Sequence, residues 1–438
     1  MRQFKNSANS GSLWQAPTAL RLHIMVALCA FLATQCAPRQ ISTGRPDRSH
    51  IRLPFVRTLL SDDSQTATID GQGSIAIECI RGIDKFVYYS PQGIHARYGG
   101  ATLSLLNSGG DIIESGLDVI TVSSRGRAQS LVINGDTYRG MARLTPGEDA
   151  IVVTNILNID EYLKGVVPPE IGPVTPEDKE AIKAQAIAAR TYTMSHLGQY
   201  GSRKYDVTST VSDQLYLGMK VEKDFISQAV EATAGEVIRY DDQFIKAYYH
   251  STCGGRTDNI ENVWPKPPAP YLKSVDCQQM CAPSKYYRWQ ETFTGKQLAK
   301  RISDYETAAG EALTVSRIDS IYIDNSSPAS PSAGLRTQKL VIVSGSQRFV
   351  YERDRIRWVF RRSSDPNRIL QSDYFTLSDI RRNSRSGVVS VTFEGRGYGH
   401  GVGMCQMGAL GMARAHAGYS YRDILLRYYT GVTIDKLY

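Results

Sequence analysis

Between residues 51 and 145, apolar and polar positions alternate in short runs separated by turn residues, the period-two pattern of half-buried strands. Residues 75–80, 85–89, 117–122 and 131–133 are predicted strands, with turns at Asn107-Ser-Gly-Gly110 and Asn134-Gly135. Residues 151–157 add another strand, and then the period changes. Thr175 can cap a helix, Pro176 suits its first position, and Glu177 and Asp178 place negative charge in its first turn. The body of this helix, residues 181–190, sets Ala181, Ala184, Ala188 and Tyr192 on one face, a smooth surface for close packing. A second helix is predicted over residues 223–234 and stopped by Gly235. Residues 236–240 and 244–249 read as a hairpin turning at Asp241-Asp242, which delivers His250 into a loop. Residues 293–380 alternate strands and loops, with 326–334 as a polar surface insert. The chain closes with a strand at 388–393, a glycine-rich loop at 395–403, and helices near 405–415 and 421–428. Strands and helices in irregular succession predict an α+β fold: strand-rich and mixed, a few helices packed on β-sheets, with a β-rich N-terminal region.

Composition extends this picture at the N-terminus. The 438 residues are 42% hydrophobic and 21% charged, enough for two or three packed domains and too apolar for wholesale disorder. Arg2, Lys5 and Arg21 precede an apolar run at residues 22–33, short for a membrane span but laid out like an export signal. Leu32-Ala-Thr-Gln-Cys36 resembles the lipobox of bacterial lipoproteins, with Gln35 where a small residue is expected. A lipoprotein signal, a plain signal peptide and an uncleaved anchor all remain open. Each predicts an exported protein of the periplasm or cell envelope, held to the membrane if the anchor or lipid persists. The expected organisation is a signal over 1–36, a polar tether over 37–50, the β-rich region 51–145, and a catalytic region 146–438 whose β segment at about 293–385 bears an insertion. The net charge of +8 suits an anionic surface or wall polymer, and the absence of a compact Lys/Arg cluster with interleaved aromatics argues against nucleic acid.

Three stretches carry candidate chemistry. In Val166-Val-Pro-Pro-Glu-Ile-Gly172, two prolines and a glycine are expected to fix a rigid loop around one acid. A general acid needs such placement, because its proton must meet the leaving oxygen within hydrogen-bond reach. A solvated turn glutamate is the plainer alternative for Glu170. Gly395-Arg-Gly-Tyr-Gly-His-Gly-Val-Gly-Met404 fails as a dinucleotide fingerprint, because the third glycine falls on His400 or Val402 and the acidic ribose partner is missing. Its glycines would instead let backbone approach something closely and expose Tyr398 and His400; a tight turn with a buried histidine is the alternative. His250-x-x-Cys253 with Cys277-x-x-x-Cys281 offers four ligands for a tetrahedral zinc site, and the same cysteines suit a disulfide equally well in an exported protein.

The sequence resembles the stage II sporulation protein D family, also known as the amidase-enhancer family. The matching residues run Glu161-Tyr-Leu-Lys-Gly-Val-Val167, Pro169-Glu170, Glu180 to Tyr192, Gln214-Leu-Tyr-Leu-Gly218 and Ala232-Thr-Ala-Gly235. They continue through His250-Ser251, Gly254-Gly-Arg-Thr257, Tyr271-Leu272, Gly399 to Met404, Gln406, Gly408-Ala409 and the tail Ile424-Leu425, Tyr428-Tyr429 and Gly431. Two departures stand out: Pro168-Pro169 where the family often has Ala-Ser, and Cys405 where it has Ser.

The resemblance implies lytic cleavage of peptidoglycan between N-acetylmuramic acid and N-acetylglucosamine, on strands an amidase has stripped of stem peptides. It makes Glu170 the catalytic acid, with His250, Ser251, Tyr398, His400, Gln406 and Arg190 as candidates to line the sugar groove. No cofactor is required, though zinc on His250, Cys253, Cys277 and Cys281 is possible. The partners implied are glycan strands and a cell-wall amidase. A non-catalytic glycan-binding amidase enhancer is the family's other possibility. Ordinary glycosidases use two carboxylates. A lytic transglycosylase needs one acid, because the sugar's own C6 hydroxyl attacks. That acid must hold its proton near neutrality, which an apolar setting favours. Val166, Val167 and Ile171 are expected to supply it, opposed by the positive end of the helix that starts near Thr175.

Overall fold

A computed structural model describes residues 53–125, 129–201, 204–324, 336–416 and 418–438. The expected signal, Cys29, Cys36, the tether and the surface insert lie outside the described residues. The chain is strand-rich with helices packed on several sheets, the mixed α+β class that the pattern predicts.

Two sheets, antiparallel except where Val207–Thr208 runs parallel to Phe55–Ser64, share one apolar core in the first part of the chain. The six-stranded sheet is ordered Asp136–Arg139, Ser130–Ile133, Thr66–Gly71, Ile94–Tyr98, Leu103–Asn107, Ile112–Leu117. Asn134 and Gly135 both have positive φ (50° and 91°) and form the two-residue turn of its first hairpin. The seven-stranded sheet is ordered Val207–Thr208, Phe55–Ser64, Ile151–Asn158, Met141–Pro146, Val119–Ser124, Ile75–Arg81, Asp84–Ser90. Its strands therefore come from both sides of residue 145. The strand expected at 117–122 is in fact two, broken at Asp118. The chain changes sheets there: the Asp118 N–H bonds the Ile80 carbonyl (2.8 Å), and its carboxylate accepts the Gly82 N–H (2.7 Å).

Strand Ile151–Asn158 runs directly into helix α1 (Ile159–Ile171), whose N-cap Asn158 accepts the Glu161 N–H at 2.9 Å. The segment around Glu170 is therefore no loop. It is the last turn of α1, with Pro168 and Pro169 inside the helix and Gly172 (φ 79°) ending it. Proline removes the donor that would serve the carbonyl four residues back. For Pro169 that carbonyl belongs to Gly165, and the Leu217 N–H takes it at 3.2 Å. A side chain at Gly165 would meet the Tyr216 ring 2.6 Å from its Cβ, so glycine is what lets this second chain approach.

Helix α2 (Lys179–His196) follows a capping box in which Thr175 and Asp178 bond one another's backbone. Its alanines are buried, as the pattern predicts, and α1, α3 (Asp224–Ala232), α7 (Gln406–Ala413) and α8 (Tyr421–Tyr428) pack around it. Burying Ile182 and Ile187 contributes about 1.5–3 kcal/mol each. Arg190 departs from its predicted role. It is fully buried, paired with Asp160 (2.8 Å) and donating to the Val230 and Glu236 carbonyls, so it fastens α2 to α1, α3 and the strand Glu236–Tyr240 and meets no substrate. The hairpin turns as expected at Asp241 and Asp242, both at positive φ.

Residues 289–395 gather a second apolar core around Phe293, Phe360 and Phe393. Strands Trp289–Thr294, Gly387–Gly395 and Phe375–Asn383 form one sheet, and Ser320–Ile323, Lys339–Ser344 and Gln347–Glu352 another. Between α3 and α7 the chain forms the short helices α4 (Ile260–Val263) and α6 (Arg355–Val359), and a longer one, α5 (Gly295–Ala308), stands where only strands and loops were expected. A reciprocal cap between Thr294 and Gln297 starts it, and Leu298, Ala299 and Ile302 bury one face. Arg190→Met removes the charge that faces Asp160, leaving that carboxylate only the Tyr438 hydroxyl; a loss of about 3–5 kcal/mol is expected in denaturant unfolding, against a change near zero if the pair contributes nothing.

Candidate functional site

Glu170 is half-buried at the C-terminal end of α1. Its Oε1 accepts the Leu215 N–H at 2.8 Å, and its carbonyl accepts the Gln406 side-chain amide at 2.9 Å. Gln406 also reaches Gln185 of α2 at 3.4 Å, so the acid's backbone is tied to α2 and α7 together. A buried polar lattice lies behind. Gln214 accepts from Thr193 (2.7 Å) and Tyr162 (3.3 Å) and donates to the Tyr249 hydroxyl (3.0 Å). The charge of Glu170 contributes to raising the Tyr162 and Tyr249 phenols, whose burial already holds them protonated.

Burial pushes the Glu170 carboxyl up to about 7, and the Leu215 N–H pulls the other way without winning. The end of α1 acts in the same sense as burial, because a helix C-terminus disfavours negative charge. Val166, Val167 and Ile171, from which the apolar setting is expected, are all three buried. The expected opposition is present too, but it comes from Leu215.

The other predicted lining residues divide. Gln406 meets Glu170 directly. His250 is buried with Nδ1 3.2 Å from the Val402 carbonyl, and burial, helped by the Arg336 charge, holds it neutral. His400 uses both ring nitrogens inside the chain: Nε2–H donates to the Tyr249 carbonyl (2.9 Å) and Nδ1 accepts the Val402 N–H (3.1 Å). Burial with Arg357 and Arg336 pushes it down to about 3, so it stays uncharged and its nitrogens are not available to a sugar. Ser251 is half-buried and its carbonyl accepts the Met407 N–H (2.9 Å). Tyr398 stacks on Tyr286 at 4.4 Å with the Arg362 guanidinium over both rings.

The glycine-rich loop approaches its own chain. Tyr398 and Thr252 exchange backbone hydrogen bonds (2.7 and 3.0 Å), and a Cβ at Gly399 (φ 103°) would stand 2.9 Å from the His250 side chain. The expected zinc set also changes. His250 lies outside it, and Cys405 joins Cys253, Cys277 and Cys281, all four sulfurs lying within 4.8 Å of one another. The described cysteines are free thiols. Cys405, Gln214, Leu215 and Tyr249 were not singled out as site residues in the sequence; Gln214-Leu-Tyr-Leu-Gly218 was the available signal for two of them.

Comparison with known proteins gives two family matches. The family described as "Stage II sporulation protein" matches residues 147–240, and a domain of unknown function matches 276–403. An uncharacterised protein of Brachyspira hyodysenteriae is 34% identical over 69% of this chain and 73% of its own. The amidase enhancer of Bacillus subtilis is 29% identical over 63% of this chain and 40% of its own. The stage II sporulation protein D of Bacillus amyloliquefaciens is 30% identical over 64% of this chain and 74% of its own.

The raised carboxyl has a thermodynamic signature. Folded Glu170 binds its proton more tightly than the unfolded chain does, so its contribution is full below pH 4.5 and lost as pH rises through about 7. Glu170→Gln removes that dependence. Between pH 4 and pH 8 the stability difference should move toward the variant by on the order of 3 kcal/mol, read from denaturant midpoints; a difference that does not vary with pH refutes the raised carboxyl.

Proposed function

The chain belongs to the stage II sporulation protein D family, and from that premise we propose that it is an envelope enzyme that cuts peptidoglycan glycan by lytic transglycosylation, with Glu170 as its single acid and base. The observation that carries this reading is the setting of Glu170: a desolvated carboxyl, protonated up to about pH 7, with its backbone and one oxygen pinned by Gln406 and Leu215. Protonated Glu170 donates to the oxygen joining N-acetylmuramic acid to N-acetylglucosamine. As the C1–O bond breaks, the C6 hydroxyl of the muramic sugar attacks C1, and its proton passes to the Glu170 carboxylate. The products are a strand ending in a free 4-hydroxyl and one ending in a 1,6-anhydro ring; no water is consumed, and the enzyme regains its starting protonation. The tyrosine platform of Tyr286 and Tyr398 offers a stacking surface for a neighbouring sugar.

Mass spectrometry of products from denuded and intact peptidoglycan tests the proposal. Anhydro-ended fragments are expected from denuded strands, and Glu170→Gln is expected to lower their release by about 10²–10⁴-fold while still sedimenting with glycan. Unimpaired release by the variant refutes the assignment. The similarity to an amidase enhancer favours a second reading, in which the protein holds glycan and activates a partner hydrolase. Retention on glycan without turnover, together with stimulation of a purified amidase, supports that reading against the first.

The pH profile is a separate test. Tyr162 and Tyr249 stay protonated and His250 and His400 stay neutral near pH 7, leaving Glu170 as the group of this shell that titrates there. The kcat/KM for anhydro-product release should fall tenfold per pH unit above about 7, following loss of the acid's proton; a profile flat to pH 9 contradicts this.

A further inference from the structure

Four cysteines outside the proposed chemistry converge from three stretches of chain. Cys253 follows the strand Tyr249–His250, Cys277 and Cys281 bracket a tight turn, and Cys405 ends the strand Met404–Cys405 and caps α7. All four are fully buried. We propose that Cys253, Cys277, Cys281 and Cys405 bind one zinc ion, which fastens the His250 loop and the 277–281 turn to the start of α7.

Three observations support the site. The sulfurs lie no more than 4.8 Å apart, and the pair Cys253–Cys281 is at 3.5 Å. Four bonds of about 2.3 Å around a tetrahedral zinc place sulfurs about 3.8 Å apart, within that spread. Donors also point at the sulfurs. The Cys253 and Gly408 N–H groups both donate to Cys405 Sγ, at 3.2 and 3.3 Å, and the Tyr428 hydroxyl lies 3.3 Å from Cys277 Sγ. Such donors steady thiolate ligands and fix their orientation. Finally, the backbone is cut away to admit the cluster. A Cβ at Gly408 would stand 2.6 Å from Cys277 Sγ and collide with the Tyr428 hydroxyl, and one at Gly411 would collide with the Met280 carbonyl in the 277–281 turn.

The ligand set names the metal class. Four thiolates with no oxygen or nitrogen ligand suit zinc in a closed structural site, and burial leaves no open position for a substrate or water. Binding replaces each S–H with a metal–sulfur bond and releases the thiol protons to solvent, so uptake rises with pH. The ion would set the position of α7, and with it Gln406, the residue after Cys405.

Metal analysis of the full chain purified from envelopes without chelator is expected to find about one zinc per chain. Cys281→Ser and Cys405→Ser should bring it near zero, while Cys79→Ser, a buried cysteine in another part of the core, should keep it. If the cluster variants do not fold, cobalt substitution of the wild type decides: tetrahedral thiolate ligation gives intense visible and charge-transfer absorption, and its absence refutes the site. Chelation should lower the thermal midpoint of the wild type. Glu170→Gln should hold as much zinc as the wild type, which separates this proposal from the catalytic one. Zinc undiminished in Cys281→Ser, iron in its place, or a metal-free protein whose cysteines map as disulfides overturns it.

Discussion

Helix α1 ends in two prolines, and the carbonyl that Pro169 leaves without its helical donor must be satisfied from elsewhere. The Leu217 N–H supplies it, which requires residues 214–218 to lie against the helix, which in turn requires glycine at 165. Once that segment is in place, the Leu215 N–H falls on the Glu170 carboxylate and Gln214 joins the phenols of Tyr162 and Tyr249. The site around the acid follows from one unmet hydrogen bond. This chain fixes its acid by ending the helix against a neighbouring segment.

Features written in neighbouring residues were legible before the structure. The alternating strands of the first region, the Asn134-Gly135 turn and the capped, alanine-faced α2 depend on positions within a few residues of one another. The continuation of α1 through Pro168 was not legible, because the last turn of a helix tolerates proline only when another segment takes the freed carbonyl, and Leu217 lies far along the chain. The sequence named Glu170 and its apolar neighbours Val166, Val167 and Ile171, but not Leu215, whose N–H holds the carboxylate. Arg190 was misjudged for the same reason. Its helical position looks polar until Asp160 and the Glu236 strand close over it. Cys405 was passed over because its ligand partners precede it by well over a hundred residues, and spacing rules see only close pairs.

The glycine-rich loop shows how a motif can be read correctly and aimed wrongly. Its glycines do permit close approach, but the approaching backbone is residues 248–253 of the same chain. That contact positions Tyr398 on its platform and occupies both nitrogens of His400. The loop thus sets Tyr398 against Tyr286, and its polar histidine serves the interior.

The bond from Gln406 to the Glu170 carbonyl joins residues 236 positions apart. A ribosome builds this chain from the other end, so the acid emerges long before the helix that braces it. Until α7 arrives, the Glu170 carbonyl lacks its Gln406 donor. The bracing of Glu170 is thus a property of the finished chain: a polypeptide cut short anywhere before α7 carries the acid but not its brace.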